Sequence, residues 1–192
     1  MSVRDVAEQA FREALPVLAI SAVGGLFAGL VLGGMDDDLR RVSGLLVLVP
    51  ALLATRGNVY GAMGAKLSTA LHQGLVEPTP IPDDRRVYSA VAAAMLNGVV
   101  ISVFAAVVAY AVLAALARPA GSLLALATIA LIAGLLSGIA LTVVVVAAVF
   151  AGYRRGLNPD TLVGPVVTTT GDVFGMAALL IAVRTVVALG GA

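Results

Sequence analysis

Asp172 is a carboxylate in the middle of an apolar run, and no other acid in the chain sits so deep within one. An ionised carboxylate near the centre of a bilayer costs several kcal/mol, so a chain that keeps one there usually sets it against a cation or a proton. Thr168, Thr169, Thr170 and Gly171 lead into it, adding hydroxyl and carbonyl oxygens on the same segment. Oxygen is the ligand chemistry this sequence has. The absence of cysteine removes thiolate metal sites and thiol nucleophiles, and His72, the lone histidine, cannot build a histidine cage.

The elements that position Asp172 are set by composition. Apolar residues make up 60% and charged residues 12% of the 192, and the mean hydropathy is +1.06. A soluble domain carries roughly a quarter charged residues, so this is an integral membrane protein. A hydrocarbon core ~30 Å thick needs ~20 apolar residues per helix. Five segments qualify, at about 15–34, 42–71, 87–117, 122–150 and 162–189. The expected class is therefore all-α, with an amphipathic helix over 1–14 and five transmembrane helices within 15–192. Counting from Asp160, twelve residues at ~1.5 Å each set Asp172 roughly 18 Å into that core. No segment is left for a soluble catalytic or nucleic-acid-binding domain, and neither an enzyme nor a nucleic-acid partner is expected.

Residues 1–14 alternate charged and apolar positions, as a helix lying on the membrane surface does, and no small-residue cleavage site directly follows a short apolar core. Arg4, Arg12, Arg85, Arg86, Arg154 and Arg155 fall on one side of the membrane, against Arg40, Arg41 and Arg118 on the other. The excess of Arg places the N-terminus in the cytoplasm and the C-terminus outside. Asp36, Asp37 and Asp38 form a triple acid at the outer mouth, although with Arg40 and Arg41 after them they read more simply as a solvated turn than as a cation funnel.

Small residues recur every four positions at Ser21, Gly25, Gly29 and Gly33, and again at Gly134 and Gly138 and at Gly171 and Gly175, where helices are expected to approach closely. The second segment is irregular. Pro50 removes a backbone donor, and Val42 to Ala54 runs into Thr55-Arg56-Gly57-Asn58 before the apolar pattern resumes. That pattern predicts a bent or broken helix, which membranes tolerate only where the irregular backbone is buried in protein or lines a wet cavity; a simple helix cap at Gly57-Asn58 is the alternative. In the fifth segment Asn158 or Asp160 is the expected N-cap beside Pro159, and Pro165 frees a carbonyl inside the helix. Arg184 is too far along the same helix to pair with Asp172, leaving Lys66 or Arg56 as possible counter-charges.

Pro50-Ala51-Leu52-Leu53-Ala54-Thr55-Arg56-Gly57-Asn58, followed by Lys66-Leu67-Ser68-Thr69 and His72-Gln73-Gly74, resembles the second-helix signature of MgtE-type magnesium transporters, particularly their eukaryotic solute-carrier relatives. Asn158-Pro159-Asp160, Pro165, Thr168-Thr169 and Gly171-Asp172 resemble the fifth-helix signature of the same family, in the same order. Lys66 stands where an Arg is commoner, and the large cytosolic sensing region of bacterial members has no counterpart in these residues. The resemblance implies a homodimeric or internally duplicated bundle in the plasma membrane. It implies a divalent cation, Mg2+ first, passing along the two-fold axis. Carried over residue by residue, the metal site is Asp172 with Asn58, Gly57, Thr168 and Thr169. Two copies of one buried carboxylate supply two negative charges, which matches a divalent ion that keeps part of its water shell.

Two other classes are compatible with a Gly-Asp pair in a membrane helix. An intramembrane aspartyl protease needs two carboxylates close enough to share a proton, which only a dimeric pair of Asp172 residues would supply. A non-transporting membrane scaffold needs neither a deep carboxylate nor a broken helix beside it. Channel, carrier and Na+- or H+-coupled exchanger all use such a midplane carboxylate, so the sequence leaves the three open.

Overall fold

Hydrocarbon offers no water to a peptide N–H or C=O, so an apolar segment in a bilayer satisfies its own backbone by closing into a helix. The computed structural model describes residues 3–191, with the side chains of 3–7, 9, 10, 13, 14, 17, 160 and 161 outside the description. The described residues are all-helical: α1 (Val3–Gly33), α2 (Asp36–Arg41), α3 (Leu45–His72), α4 (Arg85–Ala115), α5 (Leu123–Arg154) and α6 (Pro159–Ala188). Four helices, α3, α4, α5 and the part of α6 from Leu162, are long and apolar enough to cross a membrane, and α1 carries a shorter apolar stretch over Leu18–Gly33.

The long helices alternate in direction, and contacts at both ends fix the arrangement. At one end Gly121 N–H donates to the Ser43 carbonyl at 2.7 Å, and Arg184 Nε lies 3.6 Å from Asp38 Oδ2. At the other, an Arg86 guanidinium nitrogen donates to the Leu75 carbonyl at 2.7 Å, and the His72 and Tyr153 rings meet edge to face. Helix α5 touches α3, α4 and α6, while α1 lies against α6. Two apolar clusters result: Leu45, Leu48, Leu126, Ile129 and Met176 toward the first end, and Tyr60, Met63, Leu141, Val145 and Val163 toward the second.

Small residues decide how closely these helices approach. A side chain at Gly134 would meet Ser102 Oγ at 2.7 Å, and one at Gly138 would strike the Tyr60 hydroxyl. These are the close approaches that their spacing suggests. The stripe on α1 behaves differently, because Gly25, Gly29 and Gly33 have nothing within 4 Å where a side chain would stand. Of the expected stripe only Ser21 meets α6, its hydroxyl accepting from Thr169 at 2.8 Å, and the close approach is at Gly24, one position before Gly25, against the same Thr169. Within one chain the glycine stripe is an open face.

Three further expectations need correction or restatement. Helix α3 is unbroken from Leu45 to His72, through Gly57 and Asn58. Carrying Gly in a helix costs about 1 kcal/mol, whereas each peptide group left without a partner in hydrocarbon costs several, so continuity wins; Pro50 lies only six residues into the helix. Helix α1 shows no break between residues 14 and 15, and it continues through Pro16; the amphipathic face expected over 1–14 falls mostly on side chains outside the description. Asp36, Asp37 and Asp38 form the start of the short helix α2, not a plain turn, with Asp38 turned toward Arg184.

Arg56 is the anomaly of the interior. It is 3% exposed, and its Nε and one terminal nitrogen have no hydrogen-bond partner. A buried unsatisfied donor costs about 1–3 kcal/mol, so replacing it with an apolar chain of similar length removes a penalty. Arg56→Met is expected to hold or raise the melting temperature in detergent; a loss above about 3 kcal/mol would mean that the guanidinium has a partner in the membrane. Gly64→Val is expected to cost about 1–3 kcal/mol in the same measurement, because its new carbon would stand 2.6 Å from Val163 Cγ1. Gly61→Ala meets nothing within 4 Å and is expected to raise the melt slightly, by up to about 1 kcal/mol.

Candidate functional site

Helix α6 begins at Pro159, where a residue without an N–H loses nothing because the first turn has no acceptor for it. It continues through Pro165 without interruption. Thr168 is exposed, and its hydroxyl donates to the Gly164 carbonyl at 3.0 Å. Asp172 is half-buried, and it takes part in none of the ion pairs among the described residues, namely Arg12–Glu8, Arg86–Asp84 and Arg184–Asp38. Positions four apart share a helix face, so Thr168 and Asp172 stand together on one side of α6. Thr169 is turned away from that face and spends its hydroxyl on Ser21 of α1.

The neighbouring wall is α3. A side chain at Gly175 would meet Arg56 at 2.6 Å and Leu53 at 3.0 Å, so α3 lies against α6 one turn beyond Asp172. Arg56 and Asp172 nevertheless form no ion pair within 4 Å. With 100° per residue, Gly57 and Gly61 follow the edge of α3 that faces α6, and both have open space where a side chain would stand. The face bearing Thr168 and Asp172 is thus bordered by a strip of α3 stripped of side chains.

Asn58 lies beyond that strip. It is exposed and lines a groove of about 300 Å³ between α3 and α4, together with Met63, Lys66, Ala90 and Asn97. No residue of α6 lines this groove. Within one chain, therefore, Thr168 shares the face of Asp172 and Gly57 lies on the side of α3 toward α6, while Asn58 and Thr169 face elsewhere. Lys66 opens onto the α3–α4 groove and is no counter-charge for Asp172. Asn97 is a polar group at membrane depth that sequence reasoning passed over, although a lone Asn in the apolar third segment was signal enough. The described residues contain no group of three or more His, Asp or Glu side chains able to hold a metal ion. One chain alone offers an ion a single deep carboxylate, one hydroxyl on the same face and nearby backbone.

Comparison with known proteins gives the family. Over 176 residues the chain is 28% identical to solute carrier family 41 member 3 of Rattus norvegicus, covering 86% of this chain and 36% of that protein. It is 30% identical over 171 residues to solute carrier family 41 member 2 of Homo sapiens, covering 83% of this chain and 28% of that protein. The chain thus spans roughly a third of the length of these relatives. The family model for MgtE, a divalent cation transporter, matches residues 49–182, from α3 through most of α6 and well over half of the chain. By that match the chain belongs to the MgtE family of divalent cation transporters.

Proposed function

We propose that this chain carries divalent cations, Mg2+ first, across the plasma membrane along a path between two copies of the bundle, with Asp172 of each copy facing the ion. The observation that carries the reading is a half-buried carboxylate without an ion-pair partner on an apolar helix, beside a strip of α3 where Gly57 and Gly61 leave room for a hydrated ion. A charge left alone at this depth is costly in lipid, and a second copy with a cation between the two offsets that cost. In this reading α1 is the fifth span, crossing with its apolar stretch. The N-terminus lies in the cytoplasm and the C-terminus outside, since Arg85, Arg86, Arg154 and Arg155 collect on the inner side. The second copy is an identical chain or a paralogous half.

Two carboxylates balance the charge of one divalent ion. Mg2+ gives up water reluctantly and is commonly held by one or two carboxylates through a retained shell, which suits a site this sparse. Thr168 donates its hydrogen to the Gly164 carbonyl, so the lone pairs of its oxygen remain free to accept from the ion's water or to face the ion. The carbonyls around Gly57 are approachable because no side chain covers them. Asn58 belongs to the site only at its edge, given the groove it lines. A protease would need its two carboxylates within hydrogen-bond reach of each other to share a proton, whereas two aspartates separated by a hydrated ion stand farther apart.

The test is flux into proteoliposomes containing this protein alone. Asp172→Asn keeps the shape and removes one charge per copy, so divalent flux is expected to fall at least about tenfold, with elution volume and melting temperature retained because a desolvated charge has been removed. Asn58→Ala is expected to cost less, as a neutral group at the edge of the site. Near-normal Mg2+ flux through Asp172→Asn protein would place the ion path elsewhere.

A further inference from the structure

The groove between α3 and α4 has a second feature that ion passage does not use. At the end nearest the α3–α4 loop it widens to a cavity of about 470 Å³ whose polar lining is Lys66, Arg85, Arg86 and Ser89. Lys66, Ala90 and Ala93 belong both to this cavity and to the narrower groove that runs on to Asn97, so the two form one channel along the outside of the bundle. From Ser89 to Asn97 the channel follows α4 for roughly 12 Å at ~1.5 Å per residue. Its walls along this length are largely alanine, with Met63 and Val59 from α3.

The charges at the mouth are unbalanced. Asp84 caps α4 by accepting from Arg86 N–H at 2.7 Å, and it lies 3.9 Å from the Arg86 guanidinium. Asp83 accepts from the Tyr88 hydroxyl at 3.2 Å. Arg86 also donates to the Leu75 carbonyl. Lys66 and Arg85 take part in none of these contacts nor in any ion pair among the described residues. Two unpaired cations therefore stand at the depth of a bilayer interface, above an apolar slot that leads toward the membrane centre. A lysine in this position extends its ammonium to the headgroup layer while its stem covers apolar surface. Basic pockets between transmembrane helices at the interface suit anionic lipid headgroups.

We propose that the α3–α4 channel binds one anionic phospholipid, with its phosphate held between Lys66 and Arg85 at the mouth, Ser89 beside it, and one acyl chain lying along Ala90 and Ala93 toward Asn97. The assignment depends on the chain being immersed in a bilayer and not on Asp172 carrying an ion, so it stands or falls separately from the transport reading. It commits to a lipid over a soluble anion because the apolar slot continues directly from the basic mouth.

The experiment uses the whole chain in phosphatidylcholine nanodiscs doped with spin-labelled phosphatidylglycerol or with spin-labelled phosphatidylcholine bearing the same acyl chains. The motionally restricted fraction measures retention. Phosphatidylglycerol is expected to be retained over phosphatidylcholine. The double substitution Lys66→Gln with Arg85→Gln is expected to remove at least tenfold of that preference, at about fivefold per basic group. Arg154→Gln with Arg155→Gln, which takes away two charges on the other loop at the same side, is expected to leave it unchanged. Ala93→Phe blocks the slot without touching a charge and is expected to release the lipid as well; it keeps the proposal testable if the double variant fails to fold. Four results would overturn the proposal: equal retention of the two lipids, an equal loss from the Arg154 and Arg155 pair, displacement of the lipid by millimolar glycerol phosphate, or efficient cross-linking of two copies through Lys66→Cys, which would show the groove covered by protein.

Discussion

The rest of this structure depends on one constraint: inside a bilayer a polar group must find its partner within the protein. Two buried serines obey it by turning back onto their own helix, whereas the buried Thr142 hydroxyl is left without a partner. Ser102 donates to the Gly98 carbonyl at 2.7 Å and Ser137 to the Ala133 carbonyl at 2.6 Å. With their polarity cancelled locally, these side chains act as small packing groups, and the helices approach at Gly134, Gly138 and Gly64. The same constraint keeps α3 helical through Gly57 and Asn58, where local propensity alone favours a break.

Against that background the groups that do not obey the constraint stand out. Arg56 keeps two donors without partners, and Asp172 forms no ion pair, though both sit on apolar helices. The two are close to one another along the α3–α6 contact, with Gly175 against Arg56 and Asp172 one turn away, yet they do not neutralise each other. A pair that closed would leave the site uncharged and give a cation nothing to bind. Keeping them apart preserves a negative charge on the open face of α6, at the expense of a buried guanidinium. In the proposed reading stability and function pull in opposite directions here, with Gly57 and Gly61 leaving the space for the ion.

Much of this was legible from residue types. The apolar runs marked the spans, the Gly134 and Gly138 spacing marked a close approach, and a lone acid deep in the last run marked the candidate site. What the sequence misplaced depended on rotation about helix axes. The spacing of Ser21, Gly25, Gly29 and Gly33 is regular, but only Ser21 meets α6, and the close approach falls at Gly24, one residue before Gly25. Asn58 and Gly57 are adjacent in sequence but differ by 100° around α3, so that one lines the α4 groove and the other borders the α6 face. Thr168 and Thr169 part company for the same reason. Lys66 and Arg56 were interchangeable as counter-charges until packing sent the first to the surface groove and the second into the core.

The central claim is that two Asp172 carboxylates share one divalent ion. Equilibrium binding of Mn2+, followed by electron paramagnetic resonance on purified protein and on Asp172→Asn protein, tests it most directly, because the difference between the two isolates the deep site from the exposed acids of α2 and the α3–α4 loop. The account predicts a difference of one ion for every two chains at saturation, displaced by Mg2+ and not by Na+. One ion per chain, or no difference between the two proteins, would contradict it.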